Sequence, residues 1–505
     1  MPRRLLKRFL FAAVCAAAMP LAIGAQIPQD GSADVQVQLA DLLFAEGRFA
    51  EAADAYNRAV TTADSDLASR AAAGLVLSRL RVGDFRAAFT EAAEFRRLRP
   101  DDAMTAAIHG EALWASGLFQ ESESAYEAAL KTNPNLARAR HGRARSLAAR
   151  SRLADAMVDA QEALRLSPRE AEFHHTVGAI YEQMHRFEEA AAAFGNYVNL
   201  LPNRDRSEKA AWSRAEIRFL DSFKGRTPID LGPAVSPDRT WTVPIRIDHE
   251  KVLVRVRVNG GAPEDFVLDT GAEQTVISRD VARKRGVAPI TYMQSAGVGD
   301  VGMRGLQVGR LDSLEVGDLK VRNVPVLIKN PPLGGLPSRE PESFSPLALG
   351  LSMRLDYERR QLVMLTKGRE PASSYETELP LRMHRLAMVR GMVNGTQPAT
   401  FVVDTGGEVI SISDTTAGLI QPANPYRRIP LRVYGTSGWD KDAFLMPNVD
   451  LEFNSIRFNR IPVVVLNLRA PSALLGFQLG GIVGHKFLSK YRVTIDLDRS
   501  VVGLN

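Results

Sequence analysis

Two rhythms of apolar residues divide this chain of 505 residues. From about residue 35 to 222 the small and apolar positions return on a helical schedule. Gly47, Phe49, Ala52, Tyr56 and Ala59 stand at offsets 0, 2, 5, 9 and 12. Gly117, Phe119, Ser122, Tyr126 and Ala129 repeat that series, as do His185, Phe187, Ala190, Phe194 and Tyr197. Further units begin at Gly83 and Ser151, and Pro100, Pro134, Pro168 and Pro202 close successive units at one constant interval. The spacing predicts paired amphipathic helices, with small residues where each pair crosses and Pro after the second helix. Glu208 to Phe219 is one more amphipathic stretch, placed to close the last exposed apolar face. Pro228, Gly232, Pro233 and Pro237 then break the helical text, and the period shortens to two. Val252, Val254, Val256 and Val258 alternate with Leu253, Arg255 and Arg257, which predicts a half-buried strand running into an Asn259-Gly260 turn. Met388 to Asn394 reads the same way.

The helical section resembles the tetratricopeptide repeat over some 190 residues, in period more than in residue identity. That resemblance implies an all-α superhelix with a concave groove able to hold a peptide or a partner's tail. A spacer superhelix without a specific ligand is the plainer alternative. The expected layout is a leader over 1–25, repeats over 35–222, a linker over 223–240, and two β lobes over 241–366 and 379–505. Pro331-Pro332 through Pro346 is a second Pro-rich break, inside the first lobe.

Composition changes this picture little. Hydrophobic residues at 45% and charged residues at 24% fit a globular protein, and no Lys/Arg run under the net charge of +6 is dense enough for nucleic acid. The leader matters more. Arg3, Arg4, Lys7 and Arg8 precede an apolar run from Phe9 to Ile23 and the small pair Gly24-Ala25, the layout of a secretory signal cleaved after Ala25. Export to a periplasm or beyond is the expectation, with contact to membrane only through that segment if it is retained. Cys15, the one cysteine, lies inside it, so the mature chain would carry no disulfide, thiol nucleophile or cysteine-ligated metal. His174, His175 and His485 make no zincin spacing, and neither a metal nor a cofactor is expected.

Chemistry enters with a triplet that occurs twice. Phe266-Val267-Leu268 leads into Asp269-Thr270-Gly271, and Phe401-Val402-Val403 into Asp404-Thr405-Gly406. Asn259-Gly260 and Asn394-Gly395 precede the two Asp at the same distance (269 − 259 = 10; 404 − 394 = 10). Leu347-Ala348-Leu349-Gly350 and Gly481-Ile482-Val483-Gly484 follow them at nearly the same distance (350 − 269 = 81; 484 − 404 = 80). The C-terminal half is thus a duplication whose offset is set by the two Asp (404 − 269 = 135). An Asp leaving a buried strand emerges from an apolar wall, Gly allows a tight turn, and the Thr hydroxyl can bond across an interface. Two such carboxyls brought together cannot comfortably both ionise, so they share a proton. The ionised one can then take a proton from water while the other supports a developing oxyanion.

These residues resemble retropepsin-type aspartic protease domains, in a single-chain, two-lobed version spanning about 245 to 505. Asp269-Thr270-Gly271-Ala272 fits the family signature fully; Asp404-Thr405-Gly406-Gly407 departs at Gly407. The resemblance implies two all-β barrel lobes, catalytic Asp269 and Asp404, and a peptide or protein substrate lying in the cleft beneath hairpin flaps. Ala348-Leu349-Gly350 and Ile482-Val483-Gly484 match the family's element that threads behind each catalytic loop. Flap candidates are Gly297-Val298-Gly299 and Val433-Tyr434-Gly435, in Gly-rich text ending at Gly302 and Gly438. The first flap also satisfies G-x-G-x-x-G, but strand-like text follows, so no dinucleotide site is expected. Between Gly350 and Asp356 the first lobe has room for little of the terminal helix that the second places between Gly484 and Asp496. Glu273 and Glu408, four residues past each Asp, read as loop structure. The resulting expectation is an exported aspartic endopeptidase whose helical array recruits substrate or partner. The alternatives are a peptide-binding scaffold on the same fold, and lobes that pair between two chains.

Overall fold

The computed structural model describes residues 32–62, 64–232, 239–329, 342–366, 375–420 and 428–505. The leader, much of the Pro-rich break in the first lobe, and parts of both linkers lie outside the described residues. Among the described residues no helix is long and apolar enough to cross a membrane.

Among the described residues five helical hairpins come first, beginning with α1 (Ala33–Ala45) and α2 (Phe49–Ala59), then α3 (Ser65–Arg81) and α4 (Phe85–Leu98). Next are α5 (Ala103–Ala115) with α6 (Phe119–Thr132), α7 (Ala137–Ala149) with α8 (Leu153–Leu166), and α9 (Ala171–Gln183) with α10 (Phe187–Leu200). Helix α11 (Glu208–Asp221) ends the array. In the first, third and fifth units the aromatic residue at offset 9 locks the crossing, because the facing position is Gly. A Cβ on Gly74 would enter the Tyr56 ring, one on Gly110 or Gly142 the Tyr126 ring, and one on Gly178 the Phe194 ring. At offset 0 the hairpins turn through the left-handed region, which Gly47, Gly83 and Gly117 adopt freely. Ser151 and His185 adopt it without that freedom, at φ of 55° and 57°, which costs on the order of 1 kcal/mol each.

The first lobe runs β1 (Thr240–Pro244), β2 (Arg246–Asp248), β3 (Lys251–Val258), β4 (Glu264–Leu268), β5 (Thr275–Ile277) and α12 (Arg279–Lys284). It continues through β6 (Pro289–Ser295), β7 (Arg304–Val316), β8 (Leu319–Ile328), β9 (Ser343–Phe344), β10 (Ser352–Asp356) and β11 (Gln361–Leu365). The second lobe repeats the plan with β12 (Thr377–His384), β13 (Leu386–Val393), β14 (Gln397–Val403), β15 (Ile410–Ser413), α13 (Asp414–Leu419) and β16 (Ile429–Pro430). Its flap strands are β17 (Val433–Gly435) and β18 (Gly438–Asp440), followed by β19 (Phe444–Phe453), β20 (Ile456–Leu466) and α14 (Arg469–Leu475). It ends in β21 (Gly481–Val483), α15 (His485–Leu488), β22 (Val493–Asp496) and β23 (Val501–Leu504). Strand β12 begins two residues ahead of the boundary at 379 expected from sequence. Each lobe closes on itself, through β3 on β7 and β13 on β19. Asn259-Gly260 and Asn394-Gly395 form the expected hairpin turns, both residues of each pair having positive φ. Between the lobes lies a continuous six-stranded sheet in the order β1-β11-β10-β22-β23-β12, three strands from each lobe. Met353 pairs with Ile495 and Leu355 with Val493 at its centre.

Two sequence readings need correction here. In the second lobe β21 threads parallel to β14, as expected, and Val483 accepts the Asp404 N–H at 3.0 Å. The corresponding first-lobe strand is Ser343–Phe344, not Ala348-Leu349-Gly350: β9 runs parallel to β4, and Phe344 accepts the Asp269 N–H at 2.9 Å. Leu347–Leu349 is a 3-10 turn that follows it. Counted from the true equivalents, Ser345 and Gly484, the two lobes need nearly equal lengths of chain to reach Asp356 and Asp496 (356 − 345 = 11; 496 − 484 = 12). The first lobe has therefore not lost its terminal helix; the 3-10 turn takes the place of α15.

The array is docked on the lobes. Phe119 meets Phe477 edge-on with ring centroids 5.0 Å apart, and Trp114 meets His384 at 5.6 Å. Thr400 Oγ1 donates to Gly117 O at 2.6 Å, and Gln478 N to Ala115 O at 2.7 Å. Helix α11 covers the end of the array, as its sequence predicts, and also lies along β6. Arg218 donates to Thr291 Oγ1 at 3.3 Å, and Val308 packs into the Phe187, Phe219 and Phe223 cluster.

Candidate active site

Each Asp-Thr-Gly loop leaves a buried strand at the lobe interface, where the two threonines clasp one another. Thr270 Oγ1 donates to Val403 O at 2.6 Å, and Thr405 Oγ1 donates to Leu268 O at 2.8 Å. In return Thr270 N–H donates to Thr405 Oγ1 at 3.1 Å, and Thr405 N–H to Thr270 Oγ1 at 3.0 Å. The two residues are 1% and 0% exposed, so water cannot replace these bonds. The clasp registers the loops so that each carboxyl faces the other lobe's glycine. A methyl on Gly271 would lie 2.5 Å from Asp404 Cγ, and one on Gly406 would lie 2.7 Å from Asp269 Cγ. Only glycine fits at either place.

Asp269 and Asp404 are thereby brought side by side at the lobe interface. Burial, then the neighbouring Asp404 charge, pushes Asp269 up to about 7. Asp404 is also raised, chiefly by burial, against the opposing pull of two backbone donors. Gly406 N and Gly407 N both donate to Asp404 Oδ1 at 2.8 Å, whereas Asp269 Oδ1 receives Gly271 N at 3.0 Å. Ser343, on β9, is a further group that draws Asp269 downward. A backbone N–H can only donate and so favours a carboxylate; a hydroxyl suits either protonation state. The shared proton is therefore weighted toward Asp269. Gly407 has a reason as well. A Cβ there would sit 2.7 Å from Asp404 Oδ2, while Ala272 at the matching position makes its turn through a 3.4 Å bond from its N–H to Asp269 O.

Ion pairs cross the interface on either side. Arg385 of the second lobe pairs with Glu273 at 2.6 Å, and Lys251 of the first lobe pairs with Glu408 at 3.2 Å. Lys251 also donates to Gly406 O at 2.6 Å and draws both carboxyls downward. Glu273 and Glu408 are thus loop anchors, as their sequence position implies. Lys251, Arg385 and Ser343 were not singled out by sequence; a basic residue at corresponding strand ends of both lobes was the one available signal. The second loop is held from behind, since His485 N–H donates to Gly407 O at 2.8 Å. Pro346 stands at that place in the first lobe and has no N–H to give.

The candidate flaps meet. Gly297 and Gly299 lie on the tip between β6 and β7, and Val433, Tyr434 and Gly435 form β17. Gly297 N–H donates to Ser437 Oγ at 3.0 Å, Ser437 N–H to Val298 O at 2.9 Å, and Val301 N–H to Ser437 O at 3.1 Å. Asp300 N–H donates to Trp439 O at 2.9 Å, and Arg304 to Thr436 O. The glycines permit this approach: a Cβ on Gly299 would enter the Ser437 backbone, and one on Gly435 the Val298 carbonyl. Tyr434 packs on Trp439 with centroids 5.3 Å apart. His485 packs edge-on against Tyr357, and among the described residues no group of acidic, His or Cys side chains could hold a metal ion.

Comparison with known protein families agrees with this anatomy. The aspartyl protease family matches residues 254–352 and 389–484, one stretch in each lobe, and the tetratricopeptide repeat matches 22–69 and 109–171. Among solved structures, a thermophilic TPR protein of Thermus thermophilus is 19% identical, with 37% of this chain and 99% of that chain covered and a TM-score of 0.31. MamA from Desulfovibrio magneticus RS-1 is 19% identical over 35% of this chain and 97% of its own, with a TM-score of 0.24. YrrB, described as a TPR protein with an unusual peptide-binding site, is 17% identical over 36% and 92%, with a TM-score of 0.23. No curated protein matches.

Proposed function

From a chain that carries two retropepsin-like aspartyl protease lobes behind a tetratricopeptide array, we propose an aspartic endopeptidase acting through Asp269 and Asp404. The observation that carries the proposal is the mutual fit of the two loops, each carboxyl resting on the other lobe's glycine. Asp404, the more strongly N–H-bonded carboxylate, takes a proton from a water placed between the pair. The resulting hydroxide forms a bond to the scissile carbonyl carbon while Asp269 gives its proton to the carbonyl oxygen. Collapse of that diol returns a proton to Asp269, breaks the C–N bond, and delivers the Asp404 proton to the leaving amine. Electrons and protons balance without a metal or covalent intermediate. The extended substrate lies under the paired flaps, held by main-chain pairing with side-chain pockets setting preference. Tetratricopeptide repeats generally mediate protein–protein interaction, and here the array recruits substrate or partner. Residues 1–25 direct export and are removed.

The test is digestion of a proteome-derived peptide library by wild type, Asp269→Asn and Asp404→Asn, read by mass spectrometry. Cuts made by wild type and lost in both variants are the expected result. Cuts that persist in either variant, or none at any pH, would overturn the proposal, the latter in favour of a peptide-binding scaffold.

A further inference from the structure

The concave face of the helical array is turned toward the protease lobes. It faces both protease lobes across a chamber of about 1090 Å³. Met293 and Met303 of the first flap hairpin bound this chamber, as do Glu273, Gln274 and Thr275, which directly follow the first catalytic loop. One end of the inter-lobe cleft therefore runs into the chamber. The other end, marked by the Lys251–Glu408 pair, is open, with Glu408 52% exposed.

At the chamber end, charged groups from four parts of the chain line one wall: Glu182 on α9, Glu216 on α11, Glu273, and Arg385 at the β12–β13 turn. Arg385 is engaged with Glu273, donating Nε to its Oε2 at 2.8 Å. Glu182 and Glu216 line the chamber as near neighbours. Burial raises both above the usual carboxyl range, and the Glu216 charge raises Glu182 further. Two unanswered oxygens stand on the same wall. Gln274 Oε1 and Thr275 Oγ1 are buried without a hydrogen-bond partner, Thr275 being 0% exposed. A carboxyl pair held above its usual range even with Arg385 near, beside a buried amide oxygen and a buried hydroxyl without partners, has room for further donors and positive charge. An ammonium brings three donors and a full charge, and a guanidinium brings five donors.

We infer that this wall is an extended subsite for a Lys or Arg side chain of the peptide substrate, seated at the chamber end of the cleft away from the scissile bond. The inference rests on the endopeptidase reading above. Entry of the cation releases the proton held between Glu182 and Glu216 to solvent, and the paired carboxyls bind the cation instead. Because the opposite cleft end is marked instead by the Lys251–Glu408 pair, the preference falls on one side of the scissile bond.

Binding is measured on full-length Asp269→Asn protein, so that peptide stays intact, by fluorescence anisotropy. The probes are matched dodecapeptides carrying one Lys or one norleucine, stepped along the sequence. The expected result is a single position at which Lys tightens binding at least tenfold over norleucine. That ratio falls to about 1 when Glu182→Gln and Glu216→Gln are added, substitutions that keep shape. Gln274→Met gives a second readout on the same wall, with the ratio reduced threefold or more. A ratio near 1 at every position, or one kept by all these variants, overturns the inference. The endopeptidase reading fails separately, when wild type cuts none of the peptides that the Asn variant binds.

Discussion

Replacing Thr405 with Val tests whether the threonine clasp sets the register of the two carboxyls. Valine has nearly the same shape, and the site is 0% exposed, so no water enters in exchange. The change removes the 2.8 Å bond to Leu268 O and the acceptor for Thr270 N–H at 3.1 Å. A buried polar group left without a partner costs about 1–3 kcal/mol, so the two together cost about 2–6 kcal/mol. Thr405→Ser keeps both bonds and loses one methyl, which costs about 1 kcal/mol. The lobes stay joined through the six-stranded sheet and the helical array, so the loss appears as local opening, not dissociation. Hydrogen exchange of peptides spanning 265–271 and 400–407 reads it directly. About 2 kcal/mol corresponds to roughly 30-fold faster exchange in the Val variant, with the Ser variant close to wild type. A shift of the carboxyls by about 1 Å should lower kcat by about 100-fold. Equal exchange and equal kcat in the Val and Ser variants would refute the clasp argument.

Other predictions follow from the same geometry. The folded protein holds Asp269 at about 7, against the ordinary value of 3.8 for the free group. Between those values it binds more protons than the unfolded chain, so stability should fall as pH rises from about 4 to 7, by up to about 1.4 kcal/mol per unit. Thermal melts of Asp269→Asn should lack that slope, and wild-type turnover should decline as pH passes about 7 and the shared proton leaves. Gly407→Ala sets a methyl 2.7 Å from Asp404 Oδ2 and should lower kcat tenfold or more with little change in KM. Ser437→Ala removes the acceptor for Gly297 N–H and should speed exchange over residues 296–303 several-fold, while a merely external hydroxyl would leave exchange unchanged.

Much of this architecture is written locally. The helical hairpins follow from aromatic residues facing glycines, a contact encoded within one repeat or its neighbour. The Asp-Thr-Gly loops are equally local, since strand, carboxylate, hydroxyl and turn occupy six consecutive residues. What threads behind them is not. Leu347-Ala348-Leu349-Gly350 has nearly the spacing of Gly481-Ile482-Val483-Gly484, yet the pairing strand is Ser343–Phe344. Two residues of parallel main-chain pairing ask little of side chains, so Ser343 and Ile482 fill equivalent places without likeness. Lys251 and Arg385 were equally hidden, because their partners stand far off along the chain (408 − 251 = 157; 385 − 273 = 112). Docking of the array was illegible for a related reason. Trp114, Phe119 and Phe477 would fit equally well in the cores of their own units, and nothing in their spacing tells an internal face from a shared one.

The three-plus-three sheet between the lobes has a consequence for how the centre can change. Were the halves identical polypeptides, every alteration would be imposed in duplicate, and the two acids could differ only after a substrate broke the tie. Here Ala272 answers Gly407, Ser343 answers Ile482, and a 3-10 turn answers a helix, all within one covalent object. Its lopsidedness is inherited, not induced, and infinite dilution cannot separate the partners.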